Sequence, residues 1–219
     1  MRNRKRKILD ILLLTALLPF VTASVIIEST PGPNMAYLAI VSINDGRKAG
    51  YAVTAGVALG LLIIGIACAM GVGTLISSSD AAYQSLRIGG VGYLFWLAWD
   101  SWREENKISP PKTNELIKHA KFFRRGLITN LLNPKAAIFY IAILPGFTDP
   151  TSSVLTQIIF LTIIFVIIAT VIHVIIVTLA GSLRPFLENP QKQQIARRTF
   201  ALLLAGVAIW FAATTGREF

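Results

Sequence analysis

The stretch Glu28-Ser29-Thr30-Pro31-Gly32-Pro33-Asn34 breaks an apolar run that extends from Ile8 to Ile27 and resumes from Met35 to Ile43. Its two prolines remove two backbone donors and Gly32 frees the chain between them, so a helix must unwind there. Unwinding exposes carbonyls that can hold a cation or an ammonium. It also creates a new helix N-terminus near Met35, which can hold a carboxylate. A zwitterion needs both kinds of partner. Glu28 stands just before the unwound stretch, and a carboxylate inside a membrane is a functional candidate by default. At the membrane surface the same carboxylate would simply be solvated.

Outward from this break the chain is greasy. Of 219 residues, 54% are hydrophobic and 15% charged, and the mean hydropathy is +0.63. An ordinary soluble domain carries about 25% charge, and disorder needs far less apolar sequence. Further apolar segments run from about Tyr51 to Ile76, Leu86 to Trp102, Leu127 to Phe147, Leu155 to Ala180 and Phe200 to Thr215. A spanning helix needs about 20 apolar residues. The expected fold is therefore an all-α integral membrane protein with about six transmembrane segments, a single polytopic domain over residues 1–219. Arg2 to Lys7 followed by Ile8 to Leu18 has the look of a signal peptide. The apolar sequence continues to Ile27 without a small-x-small cleavage site, which favours a retained anchor.

Segment four is also broken, at Asn133-Pro134-Lys135. The polar connection over residues 103–125 divides the chain into halves of about 8–102 and 126–215, three segments each, and the first segment of each half carries a proline break. An odd number of spans per half gives the halves opposite orientation. That is the geometry of two inverted three-helix repeats, in which paired breaks mark the binding site. Unrelated proline kinks are the plain alternative, since membrane helices tolerate them. Asn130, Asn133 and Lys135 add amides and a cation to the second break. Lys135 can pair with a substrate carboxylate or with Glu28, or snorkel to the interface on its long stem.

The formal charge is +10, and a nucleic-acid surface is the soluble explanation for it. The basic residues instead follow the connections. Two follow segment one, seven lie in the long connection and four follow segment five, together 13 of the 21. Basic loops stay in the cytoplasm, so these three connections are expected there, in a multi-pass protein of the cytoplasmic (inner) membrane. No nucleic-acid partner is implied. The tail bases Arg2, Arg4, Lys5, Arg6 and Lys7 share that side only if segment one re-enters the face it left.

Other residues have narrower readings. Asp45 and Arg47 belong to a tight turn, Asn44-Asp45-Gly46-Arg47, with a gating salt bridge from Asp45 as the functional reading. Gly56, Gly60 and Gly65 form a small-residue series that lets helices approach closely, and Gly89, Gly90 and Gly92 extend the expectation to segment three. His173, in a run of Ile and Val, is either a proton relay or a partner for a neighbouring helix. Trp96, Trp99 and Trp102 read as an interfacial belt.

The lone Cys68 and the lack of any Cys/His cluster or phosphate-binding Gly-Lys-Ser/Thr loop leave a structural zinc, an iron–sulfur cluster and a nucleotide motor without ligands. No metal or cofactor is implied. A membrane redox carrier would need a pair of reactive cysteines. No convergent acid/base or nucleophile set points to an enzyme.

With these motifs in place the chain resembles the LysE/RhtB family of amino-acid exporters. The resemblance rests on Pro31-Gly32-Pro33-Asn34, on Asp45-Gly46-Arg47 with Gly50, and on the glycine-rich second segment. It continues in Phe123-x2-Gly126, Asn130-x2-Asn133-Pro134-Lys135, Phe139 and Pro145-x-Phe147. About ten N-terminal residues are extra relative to family members, Ala98 stands where a glycine is common, and His173 is not expected from the family. The resemblance implies export of small amino acids from the cytoplasm, driven by the proton gradient. By this reading substrate is held at Glu28, Pro31, Gly32, Pro33, Asn34, Asn130, Asn133, Pro134 and Lys135, and coupling or gating falls to Glu28, Asp45, Arg47 and His173. The partners are a small-molecule substrate and the lipid bilayer, and the sequence leaves room for a homo-oligomer. The competing readings are export of a different small solute or cation, and a non-transporting membrane scaffold.

Overall fold

The structure is a computed structural model that describes residues 17–30, 32–71, 79–103, 115–149, 151–183 and 190–214, and these form helices joined by turns. The first apolar run forms α1 (Leu18–Ser29) and α2 (Pro33–Asn44) on either side of the break. A turn through Asp45 and Gly46 leads into α3 (Arg47–Ala69). Gly46 has φ +91°, in the left-handed region that favours glycine. Next come α4 (Asp80–Arg103) and α5 (Glu115–Leu131). After the second break α6 (Pro134–Ile138) runs on as a π turn, Phe139–Ile143, and a 3-10 turn, Leu144–Phe147. Pro145 lacks the N–H that a regular helix would need there, so the winding changes before it. The chain closes with α7 (Val154–Gly181) and α8 (Pro190–Thr214).

By length and composition α3 and α7 can each cross a membrane, and residues 119–131 and 135–147, bent by 52° at the second break, make a third candidate span together. α4 and α8 are as long, but they begin with polar turns, and the continuously apolar part of α8 is Ala201–Trp210. α3 packs on α5 and α7, α4 packs on α8, and α1 and α2 both pack on α7.

Three expectations change in detail. The polar connection placed over residues 103–125 is helical from Glu115, because Phe122, Leu127 and their neighbours give that stretch one apolar face for α3. The helices reach closer to the first break than expected, because Glu28 and Ser29 complete α1 and Pro33 starts α2. Proline suits the first helical position, where its missing N–H has no partner to lose. Gly89 and Gly92 are not points of close helix approach. Among the described residues a Cβ at Gly92 would meet nothing within 4 Å, and one at Gly89 only Leu132 Cδ2 at 3.8 Å.

Helices α3 and α5 approach each other backbone to backbone. A Cβ on Gly56 would collide with the Phe123 carbonyl, and one on Gly126 with the Val53 carbonyl. Each helix thus sets a glycine against the other's backbone. Gly60 and Gly65 on the same face of α3 leave room for the side chains of Asn130, and of Thr162 and Tyr140. Ring packing then holds the turns after α6. Phe139 stacks on Phe165 of α7 with centroids 3.7 Å apart, and Phe20 of α1 meets Phe147 at 5.3 Å. Outside the helices, the exposed Asp149 carboxylate accepts bonds from the Thr151 N–H and hydroxyl, which hold its pKa below the usual carboxylate range.

Candidate functional site

Both breaks are built alike. Gly32 and Asn133 are extended residues at the N-cap positions of α2 and α6, and Pro33 and Pro134 follow as the first helical residues. Pro134 offers no N–H to the Asn130 carbonyl, which accepts instead from the Asn133 N–H at 3.0 Å. The Asn133 side-chain oxygen accepts from the Lys135 N–H at 3.1 Å, a regular N-cap bond. That bond ties Asn133 to the helix start.

The two breaks meet. Lys135 donates from Nζ to the Thr30 carbonyl at 2.7 Å, across the first break. The carbonyl freed by unwinding is thus taken by the protein's own ammonium. Asn34, one residue into α2, donates from Nδ2 to Asn130 Oδ1 on α5 at 2.8 Å. The remaining polar atoms of the two buried amides, Asn34 Oδ1 and Asn130 Nδ2, have no hydrogen-bond partner among the described residues. A buried polar atom left unbonded costs roughly 1–3 kcal/mol. The amide pair thus leaves one acceptor and one donor unbonded among the described residues.

Glu28 is buried near the C-terminal end of α1, so it is not a solvated surface carboxylate. Its Oε2 lies 3.4 Å from His173 Nε2 on α7, and His173 is 1% exposed. Nε2 has no hydrogen-bond partner among the described residues, so the pair is in contact without a formed hydrogen bond. Glu28, Gly32, Asn34, Asn130, Asn133, Lys135 and His173 line one closed cleft with Met35, Leu61 and Ala136, and it encloses about 10 Å³. That is room for about one water and no more.

The sequence-derived candidates thus separate. Glu28, Gly32, Asn34, Asn130, Asn133, Lys135 and His173 converge on the cleft, and Pro33 and Pro134 begin the helices beside it. Asp45 and Arg47 lie at the far end of α2, where Asp45 is the C-cap and Arg47 Nε donates to the Thr178 carbonyl at 3.2 Å. The expectations for Pro31, for the basic tail Arg2 to Lys7 and for residues 104–114 concern positions outside the described residues.

The family model for the LysE type translocator matches residues 25–215. The chain belongs to this family. The matched stretch takes in both breaks, the cleft and all the helices from α2 onward. Relatives include a homoserine/homoserine lactone efflux protein of Salmonella typhimurium, 27% identical over 84% of this chain and 89% of the relative. A leucine efflux protein of Salmonella choleraesuis is 30% identical over 61% of this chain and 63% of the relative. An uncharacterized membrane protein of Vibrio cholerae is 27% identical over 89% of this chain and 95% of the relative. No solved structure matches. This LysE type translocator is accordingly a membrane transport protein and not an enzyme.

Sequence reasoning passed over one polar link in the translocator. Arg125 on α5 forms an ion pair with Asp100 on α4 and lies over the Trp96 ring, 5.4 Å from its centroid. Arg103 sits over Trp99 and Arg198 over Trp102, at 5.2 and 5.4 Å. Each belt tryptophan therefore carries a guanidinium. The signal was there in Asp100, an acid among aromatic and apolar neighbours, which needs a cationic partner.

Proposed function

We propose that this translocator exports small amino acids, or close derivatives of them, from the cytoplasm across the inner membrane by alternating access, in exchange for protons. The observation that carries this reading is the pair of unbonded amide atoms. Asn130 Nδ2 can donate to a carboxylate and Asn34 Oδ1 can accept from an ammonium. The two N–H groups that open α2 after Gly32, those of Asn34 and Met35, and the Lys135 ammonium add positive potential for the carboxylate, while Glu28 supplies a negative group for the ammonium. A lysine in the cleft opposes a metal cation. The efflux proteins among the relatives point the same way.

Alternating access is supported by the closure of the cleft. An amino acid does not fit a space of about 10 Å³, so helices must part to admit one. The Lys135 bond to Thr30 and the Asn34 bond to Asn130 are the two cross-break links that parting would open. Proton exchange falls to Glu28 and His173, in contact and facing Lys135 and Tyr140. A proton arriving from outside neutralises Glu28 and releases the substrate ammonium.

Two inverted repeats are supported by the packing. If α1 and α2 correspond to α5 and α6, α3 to α7, and α4 to α8, then α3 with α7 and α4 with α8 are each a helix packed on its counterpart. The contact of α3 with α5 is likewise matched by that of α7 with α1. The first break interrupts one long apolar run between α1 and α2, which supports a site at membrane depth.

The test is efflux from cells loaded with amino acids by feeding dipeptides. Cells producing the chain should release one or more amino acids faster than cells without it, and faster when the medium is acidified. Equal release across a full amino-acid panel would overturn the proposal.

A further inference from the structure

The polar cleft has an apolar neighbour. An apolar cavity of about 750 Å³ lies between the first break, α2, α7 and α8, open to the outside along Leu202, Leu203 and Trp210, and among the described residues no charged side chain lines it. Gly32 and Met35 line both spaces. Beyond them the walls are Ala36, Ile176, Leu203 and Gly206. Substrate held between Asn34 and Asn130 would lie next to Gly32 and Met35, the two residues common to both spaces.

We infer that this cavity is the side-chain subsite of the translocator, and that the substrates are neutral amino acids with aliphatic or aromatic side chains. The inference rests on the zwitterion reading of the cleft. Its physical basis is the asymmetry of an apolar wall. Each methylene placed there is worth roughly 10-fold or more in specificity. A hydroxyl or an ammonium that enters loses its water and meets only Thr30 and Trp210 as polar residues of the lining. Glycine and serine gain little from the cavity, and a lysine side chain is rejected by it. The volume exceeds that of a single side chain, so size alone does not choose between branched aliphatic and aromatic members.

Gly206 provides the means to test this. A Cβ built there meets nothing within 4 Å among the described residues, so a larger residue projects into the open cavity that Gly206 lines. The full chain is reconstituted in vesicles preloaded with labelled leucine, phenylalanine, glycine, serine or lysine, and initial efflux is measured for the wild type, Gly206→Ala and Gly206→Leu. Wild-type efflux of leucine and phenylalanine should exceed that of glycine and serine at least 10-fold, with lysine lowest. The leucine-to-glycine ratio should fall modestly in Gly206→Ala and at least 10-fold in Gly206→Leu. Efflux of serine or lysine equal to that of leucine overturns the inference while leaving amino-acid export standing. So does a ratio that neither variant changes, as when a lipid chain occupies the cavity. Loss of all five effluxes in the wild type removes the export reading and this one with it. If Gly206→Leu fails to fold, the graded change in Gly206→Ala decides.

Discussion

Asn34 and Asn130, 96 residues apart, share one buried hydrogen bond of 2.8 Å and each leaves its other polar atom unbonded among the described residues. Buried amides are ordinarily satisfied at both ends. Here one donor and one acceptor remain unbonded on two residues that line the cleft, with Asn130 Nδ2 packed beside Gly60.

Replacing Asn130 by alanine should therefore damage transport more than stability. A hydrogen bond to a charged ligand group is worth about 1.5–3 kcal/mol, so the initial rate at low substrate should fall roughly 10- to 100-fold. Efflux assays beside thermal unfolding in detergent check this. Full efflux by a folded Asn130→Ala protein would make the amide pair purely structural.

Glu28→Gln should flatten the pH profile. The wild type is expected to export faster as external pH falls, because a proton entering from outside must reach the carboxylate to complete the cycle. The neutral glutamine cannot take that proton, so the variant should show one low rate at every pH. His173→Asn keeps a polar group beside Glu28 and should shift the profile rather than abolish it. Identical profiles for all three proteins would remove both residues from coupling.

The reciprocal glycine contact between α3 and α5 predicts a stability effect. Gly56→Val or Gly126→Val forces a side chain into a backbone carbonyl, and overpacking of this kind costs at least about 1–3 kcal/mol. Both variants should unfold at lower temperature. Gly92→Ala, with nothing within 4 Å of the new methyl, should unfold at or slightly above the wild-type temperature. A Gly92→Ala protein as unstable as Gly56→Val would show that glycine composition matters here and contact does not.

Asp100→Asn should lower the melting temperature by weakening the link to Arg125, by about 2 kcal/mol for a charge-assisted bond in a partly buried place. The exchange Asp100→Arg with Arg125→Asp should recover part of that loss. No recovery in the double variant would mean that the cation–π contact with Trp96, rather than the ion pair, holds Arg125.

By itself the sequence determined the helical class, the two proline breaks, the small-residue face of α3 and the family. These are local facts. A missing proline donor, an apolar run of given length and a glycine at every turn each act through neighbouring residues, so they can be read without coordinates. Tertiary structure alone decided which of the candidate groups meet. Glu28 faces His173 because α1 packs on α7, and Lys135 reaches the Thr30 carbonyl because the two breaks stand at one level. Asp45 and Arg47, as promising in the sequence, fall at the other end of α2. Contacts spanning 96 or 105 residues are set by how whole helices pack, and helix packing in a bilayer depends on shape and small residues more than on any linear motif. For the same reason Gly126, a single residue in a short motif, emerged as half of a reciprocal glycine contact between α3 and α5 only when Val53 was seen beside it.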